Sequence, residues 1–130
     1  MTGYPFGTFD FYITSDIIQH MNGEDKPVVW LYGEVKTPPF SQAARLEAGL
    51  LLRRLQQGEK IGMPQSRPMP SMGARCHELR VRDESKNWRV LYRIDNDAIV
   101  VAEVFNKTTR ETPKGVIENC RRRLANYDEA

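Results

Sequence analysis

Four cations stand out for the chemistry they could do together: Arg80, Arg89, Arg93 and Lys107. They fall on three successive segments that read as neighbouring strands, and adjacent strands lie about 4.8 Å apart. Groups so spaced can converge on one phosphate. A phosphodiester attacked by its own 2′-hydroxyl develops charge on its phosphoryl oxygens, and fixed arginines and lysines stabilise that charge without a metal. The same charges also fit a solvated face paired with Glu78, Asp83, Glu84 and Glu103. Composition alone leaves both readings open.

Other chemistries lack their residues. The sequence contains no GxxxxGK[ST] and no GxGxxG loop, so a nucleotide cradle is not supported. It has no HExxH and no paired-carboxylate motif for metal hydrolysis. No cofactor or metal is expected. His20 and His77 are the only histidines. Arginine, with a pKa above about 12, is a poor general base. His77 and Glu78 are the candidates for that role. Cys76 and Cys120 lack CxxC spacing and read as buried structural thiols in a reducing compartment.

The chain has 130 residues, 40% of them hydrophobic and 28% charged, which suits one folded domain. No apolar run approaches the roughly 20 residues that span a bilayer. The start, Met1 to Phe6, lacks the basic and apolar regions of a signal peptide, so a cytoplasmic location is expected. Net charge is only +2 but unevenly spread. Residues 1–44 carry two basic and five acidic groups, and residues 45–74 carry five basic and two acidic. An acidic head hides a more basic, arginine-rich body, and arginine's planar fork suits phosphate.

The elements that must position these cations read as follows. Residues 1–25 form an extension of uncertain structure, with a candidate strand at 8–13 and a turn at 22–25. Residues 26–36 have high β propensity and end at Pro38. Residues 41–57 read as a helix, with Ser41 as N-cap, an apolar stripe of Ala44, Ala48, Leu51, Leu52 and Leu55, and Gly58 beyond its end. Residues 62–73 hold three prolines and two glycines and read as irregular loop. Residues 77–82 alternate with period two, setting Leu79 and Val81 on one face and Glu78, Arg80 and Arg82 on the other. Residues 88–94 and 99–105 read as two more strands of an antiparallel meander, the last nearly all apolar and so central. Thr112 as N-cap and Pro113 then open a final helix whose stripe is Val116, Ile117, Cys120 and Leu124. Arg121, Arg122 and Arg123 are expected for the most part to face solvent. The fold class is α+β: a compact domain over residues 26–130, mainly antiparallel sheet packed against two or three helices.

Three strings, in order, carry a family resemblance: His77-Glu78-Leu79-Arg80, then Trp88-Arg89-Val90-Leu91-Tyr92-Arg93-Ile94, then Val104-Phe105-Asn106-Lys107-Thr108-Thr109-Arg110-Glu111-Thr112-Pro113. Over roughly residues 26–127 the chain resembles the phage-derived, HigB-like branch of the RelE toxin superfamily. Thr108 stands where that family commonly has a second lysine. The resemblance implies a RelE-like fold and a small endoribonuclease that cuts messenger RNA in the ribosomal A site. It also implies an antitoxin partner, often a helix-turn-helix protein. By position it makes Arg80, Arg89 and Lys107 the catalytic candidates and Arg93, His77, Arg82 and Arg110 the RNA-binding ones. Tyr92 reads as core, and Tyr127 either stacks on a base or packs on the sheet. Two alternatives remain: a module that binds an antitoxin without catalysis, and a protein that binds RNA without cutting it.

Overall fold

Period-two alternation makes the sheet and period 3.6 makes its two covers. The computed structural model describes residues 25–130. In chain order these are β1 (Val28–Trp30), α1 (Gln42–Gln56), β2 (Ser66–Pro68), a 3-10 turn (Pro70–Met72), β3 (Cys76–Arg82), β4 (Asn87–Ile94), β5 (Ile99–Asn106) and α2 (Lys114–Glu129). The expected strand at 8–13 and most of the turn at 22–25 lie outside the described residues. The strands form one sheet in the order β1-β5-β4-β3-β2. β2, β3, β4 and β5 pair antiparallel, and β1 joins β5 in parallel. The α+β reading holds, and the apolar β5 is an interior strand between β1 and β4, although β4 rather than β5 occupies the middle of the sheet.

The two faces have separate cores. Leu79, Val81, Trp88, Val90, Tyr92, Ile99 and Val101 pack against Phe40, Ala44, Ala48, Leu51, Leu52 and Leu55, which belong to α1 and the residue before its cap. Burying each such leucine contributes on the order of 2 kcal/mol. Cys76, Leu91, Val100 and Ala102 pack against Cys120 and Leu124 of α2, with Met69 and Met72 closing that side. The β4–β5 register steps by one residue between Leu91 and Tyr92. Ala102 and Glu103 therefore both address α2, where Glu103 accepts from Arg123 at 2.7 Å.

The helix α1 starts as its sequence predicts: the Ser41 hydroxyl accepts from Ala44 N–H at 3.0 Å. Gly58, at φ +87°, takes the left-handed position after its end. Asp83, in the β3–β4 turn, ties the helix start to the sheet. One of its oxygens accepts from Ser41 N–H (2.8 Å) and from Trp88 Nε1–H (3.0 Å). Trp88 stacks on Phe40, centroids 4.1 Å apart.

Three local expectations are corrected and a fourth is refined. The first strand covers Val28–Trp30 rather than residues 26–36. Gly33 turns the chain at φ +83°, where a Cβ would meet Val104 Cβ at 3.0 Å. The proline-rich 62–73 region is not all irregular. Ser66–Pro68 forms an edge strand on β3, a place that tolerates proline because one side needs no donors. The last helix is capped by the backbone of Pro113 without a side-chain bond. Thr112 turns its hydroxyl toward Glu78 instead, at 3.5 Å. Arg123 points inward, bonding the Ala102 carbonyl and Glu103 and lying 3.9 Å over the Tyr32 ring.

Candidate active site

Strand pairing sets Arg80 directly opposite Arg89. Like charges opposed on a sheet repel. Glu78 answers the repulsion, two residues back along β3 and so on the same face. Glu78 is 0% exposed, a state a carboxylate reaches only when partnered. Arg67, its cross-strand neighbour on β2, donates from Nε to Oε1 at 3.2 Å. Arg89 Nε lies 3.6 Å from Oε2 and Arg80 Nε 3.9 Å from Oε1, ion pairs too long for hydrogen bonds. Lys107 follows β5 directly. Its N–H is anchored on the Asn87 carbonyl at 2.8 Å, and its ammonium feels Glu78, Arg89, Arg67 and Arg80.

Three guanidinia thus pair with one carboxylate, and the Lys107 ammonium lies within the electrostatic reach of all four groups. Burial pushes the Lys107 ammonium below its ordinary pKa; Glu78 opposes the shift and the three arginines reinforce it. Burial lowers Arg89 in the same way, against the pull of Glu78. A guanidinium stays charged regardless. Arg89 Nε is buried and finds no hydrogen-bond partner among the described residues. An excess of partly desolvated positive charge, with a donor unspent, is an arrangement that binds an anion.

The other sequence candidates go elsewhere. Arg82 is exposed at the end of β3. It shares a cleft of about 430 Å³ with Glu47, Gln65, Arg80, Asn87 and Arg89. Arg110 is exposed on the loop between β5 and α2. His77 sits on the opposite face, its ring stacked on Tyr92 with centroids 5.5 Å apart. Arg93 lies four residues along β4 from Arg89 and is held by two carboxylates, Asp95 and Asp128. Tyr92 is core, 1% exposed, with its hydroxyl 2.7 Å from Ser66 Oγ. Tyr127 packs against the α2-side core. Both cysteines are free and buried, and burial pushes the Cys120 thiol up to about 12.

Sequence reasoning missed Arg67, because its strand hides between prolines. Glu78 was assigned the right face by alternation, but nothing local announced it as the buried hub. Among the described residues no helix is long and apolar enough to cross a membrane, and no three His, Cys, Asp or Glu side chains group as metal ligands.

A family model described as "Phage derived protein Gp49-like (DUF891)" matches residues 39–125. The match runs from the residues that enter α1 nearly to the end of α2, and it spans all of the cation cluster. No curated protein matches the chain. The chain therefore belongs to the Gp49-like family of phage-derived proteins, within the RelE-like toxin group.

Proposed function

We propose that this chain is the toxin of a toxin–antitoxin system, a metal-independent endoribonuclease that cuts messenger RNA on the ribosome. The observation that carries the reading is the surplus of cations around Glu78. Its three guanidinium partners, with Lys107 nearby, offer more positive charge than one carboxylate neutralises. In this reading the 2′-hydroxyl attacks the adjacent phosphorus and releases its proton to solvent. Arg80 and Arg89 hold the phosphoryl oxygens as charge develops. The bond to the 5′-oxygen breaks, and Lys107, whose burial makes it a readier acid than an ordinary lysine, gives that oxygen a proton. Glu78 already holds cations on both oxygens, so its part is to orient them. An antitoxin, expected to be of the helix-turn-helix type, keeps the toxin silent; the family's association with such systems supports this partner.

The test is induced expression in a bacterium without the partner, wild type beside an Arg80→Ala/Arg89→Ala double variant. Growth arrest with cuts in translated messages, reduced at least about 100-fold in the variant, is the expected result. Normal growth and intact messages with soluble wild-type protein would replace this reading with a module that binds an antitoxin or RNA without cleaving it.

A further inference from the structure

The cleft beside the cation cluster contains a group that phosphate binding does not explain. Arg80, Arg82 and Arg89 line it, and so does Glu47. A carboxylate there opposes a phosphate. Yet among the described residues no hydrogen bond or ion pair engages the Glu47 carboxylate, although three guanidinia line the same cleft. Its remaining lining is Pro64, Gln65 and Asn87.

The fold holds Glu47 at the lip. It lies on α1 between Ala44 and Ala48, which are 3% and 0% exposed and pack on the sheet. The start of that helix is bonded to Asp83, in the same turn that joins Arg82 to Asn87. The carboxylate and the two sheet residues therefore belong to one tied unit.

We propose that this cleft is a nucleobase pocket selective for guanine, with Glu47 as the specificity-determining residue; the proposal deepens the ribonuclease reading and rests on it. A carboxylate accepts two parallel N–H donors. Among the four RNA bases only guanine presents two adjacent ones on its pairing edge, at N1 and N2. Gln65 and Asn87 each offer an amide N–H and a carbonyl for the remaining base edges. Pro64 and the planar guanidinium of Arg82 suit the flat faces of a base. Arg80 and Arg89, shared between cleft and cluster, set the base next to the phosphate to be cut. A volume of about 430 Å³ accommodates one base.

The test uses the purified full-length chain and 2′-O-methyl oligouridylates carrying one central guanine, adenine, cytosine or uracil. These RNAs cannot be cleaved through the 2′-oxygen, so binding is read separately from catalysis. Wild type is expected to bind the guanine RNA roughly tenfold more tightly than the others. Glu47→Gln, an exposed helix position where glutamine is well tolerated, is expected to reduce the difference to less than about twofold. Arg80→Ala should weaken all four RNAs alike. Equal binding of the four by wild type, no binding at all, or a guanine preference that survives Glu47→Gln would overturn the proposal. A guanine preference lost in Glu47→Gln, in a protein that leaves cellular messages intact, would keep the pocket and sink the ribonuclease reading instead.

Discussion

Two arginine–carboxylate clusters lie on the same sheet face, four residues apart along β4, and they are built in opposite proportions. At Arg93 one guanidinium meets two carboxylates. Nε and one terminal nitrogen reach Asp95 at 2.8 and 2.9 Å, and the terminal nitrogens reach Asp128 at 3.0 and 2.6 Å. At Glu78 one carboxylate meets three guanidinia, with the Lys107 ammonium in their field. The proton affinities move accordingly. Asp128 first, then Asp95, hold the Arg93 proton more tightly than usual. Burial loosens those of Arg89 and Lys107. Where partners outweigh burial, a charge is locked into the fold; where burial outweighs partners, charge is left over for a ligand. The first cluster pins the end of α2 to the sheet, and the second is the candidate site.

That contrast can be broken by experiment. The largest effect is expected from Glu78→Gln, which strands buried cations without their counterion. It should cost about 3–5 kcal/mol in urea unfolding, the usual penalty for removing one member of a buried pair. A loss below about 1 kcal/mol would mean that the four cations do not depend on Glu78. Arg93→Met should cost roughly 2 kcal/mol, the scale of charge-assisted hydrogen bonds, and leave cleavage per folded molecule intact. Cleavage lost with stability preserved would move Arg93 from lock to site.

Lys107→Met should do the reverse of Arg93→Met. A lysine whose pKa is lowered on folding costs stability at every pH below its ordinary value, and the cost fades only as pH rises to that value. Its removal should raise stability by about 0.5–1 kcal/mol while abolishing growth arrest, a trade common at functional positions. Destabilisation would place Lys107 with the structural pairs. The smallest effect concerns acid. The bond from Arg93 holds Asp128 below its usual carboxylate range. Its contribution is therefore present above the unfolded value and lost as pH falls through the folded one. Thermal midpoints of wild type and Asp128→Asn should differ at neutral pH and converge toward pH 3. A constant offset would show that the pair matters by shape rather than charge.

The fold was legible where the information is local. Ser41, Gly58 and the Ala44–Leu55 stripe announce α1, and alternation announces β3 because each residue needs only its own face. Arg67 was not legible. Its strand is three residues long, contains a proline, and exists only because β3 is there to pair with. The reach of β1 failed for a related reason: propensity favoured the whole of residues 26–36, but Gly33 packing on Val104 ends the extended run.

By itself the sequence determined the order of the elements other than β2, the apolar stripes of both helices and the side on which Arg80, Arg89 and Glu78 lie. Those follow from periodicity and capping, which act over a few residues. Only the tertiary structure decided which charges are neutralised. Asp128 reaches Arg93 across 35 residues and Thr112 approaches Glu78 across 34. Burial of Glu78, the surplus at Arg89 and Lys107, and the place of Glu47 at the cleft all depend on such contacts. Charge balance in a site is a sum over neighbours in space, and no window of sequence contains those neighbours.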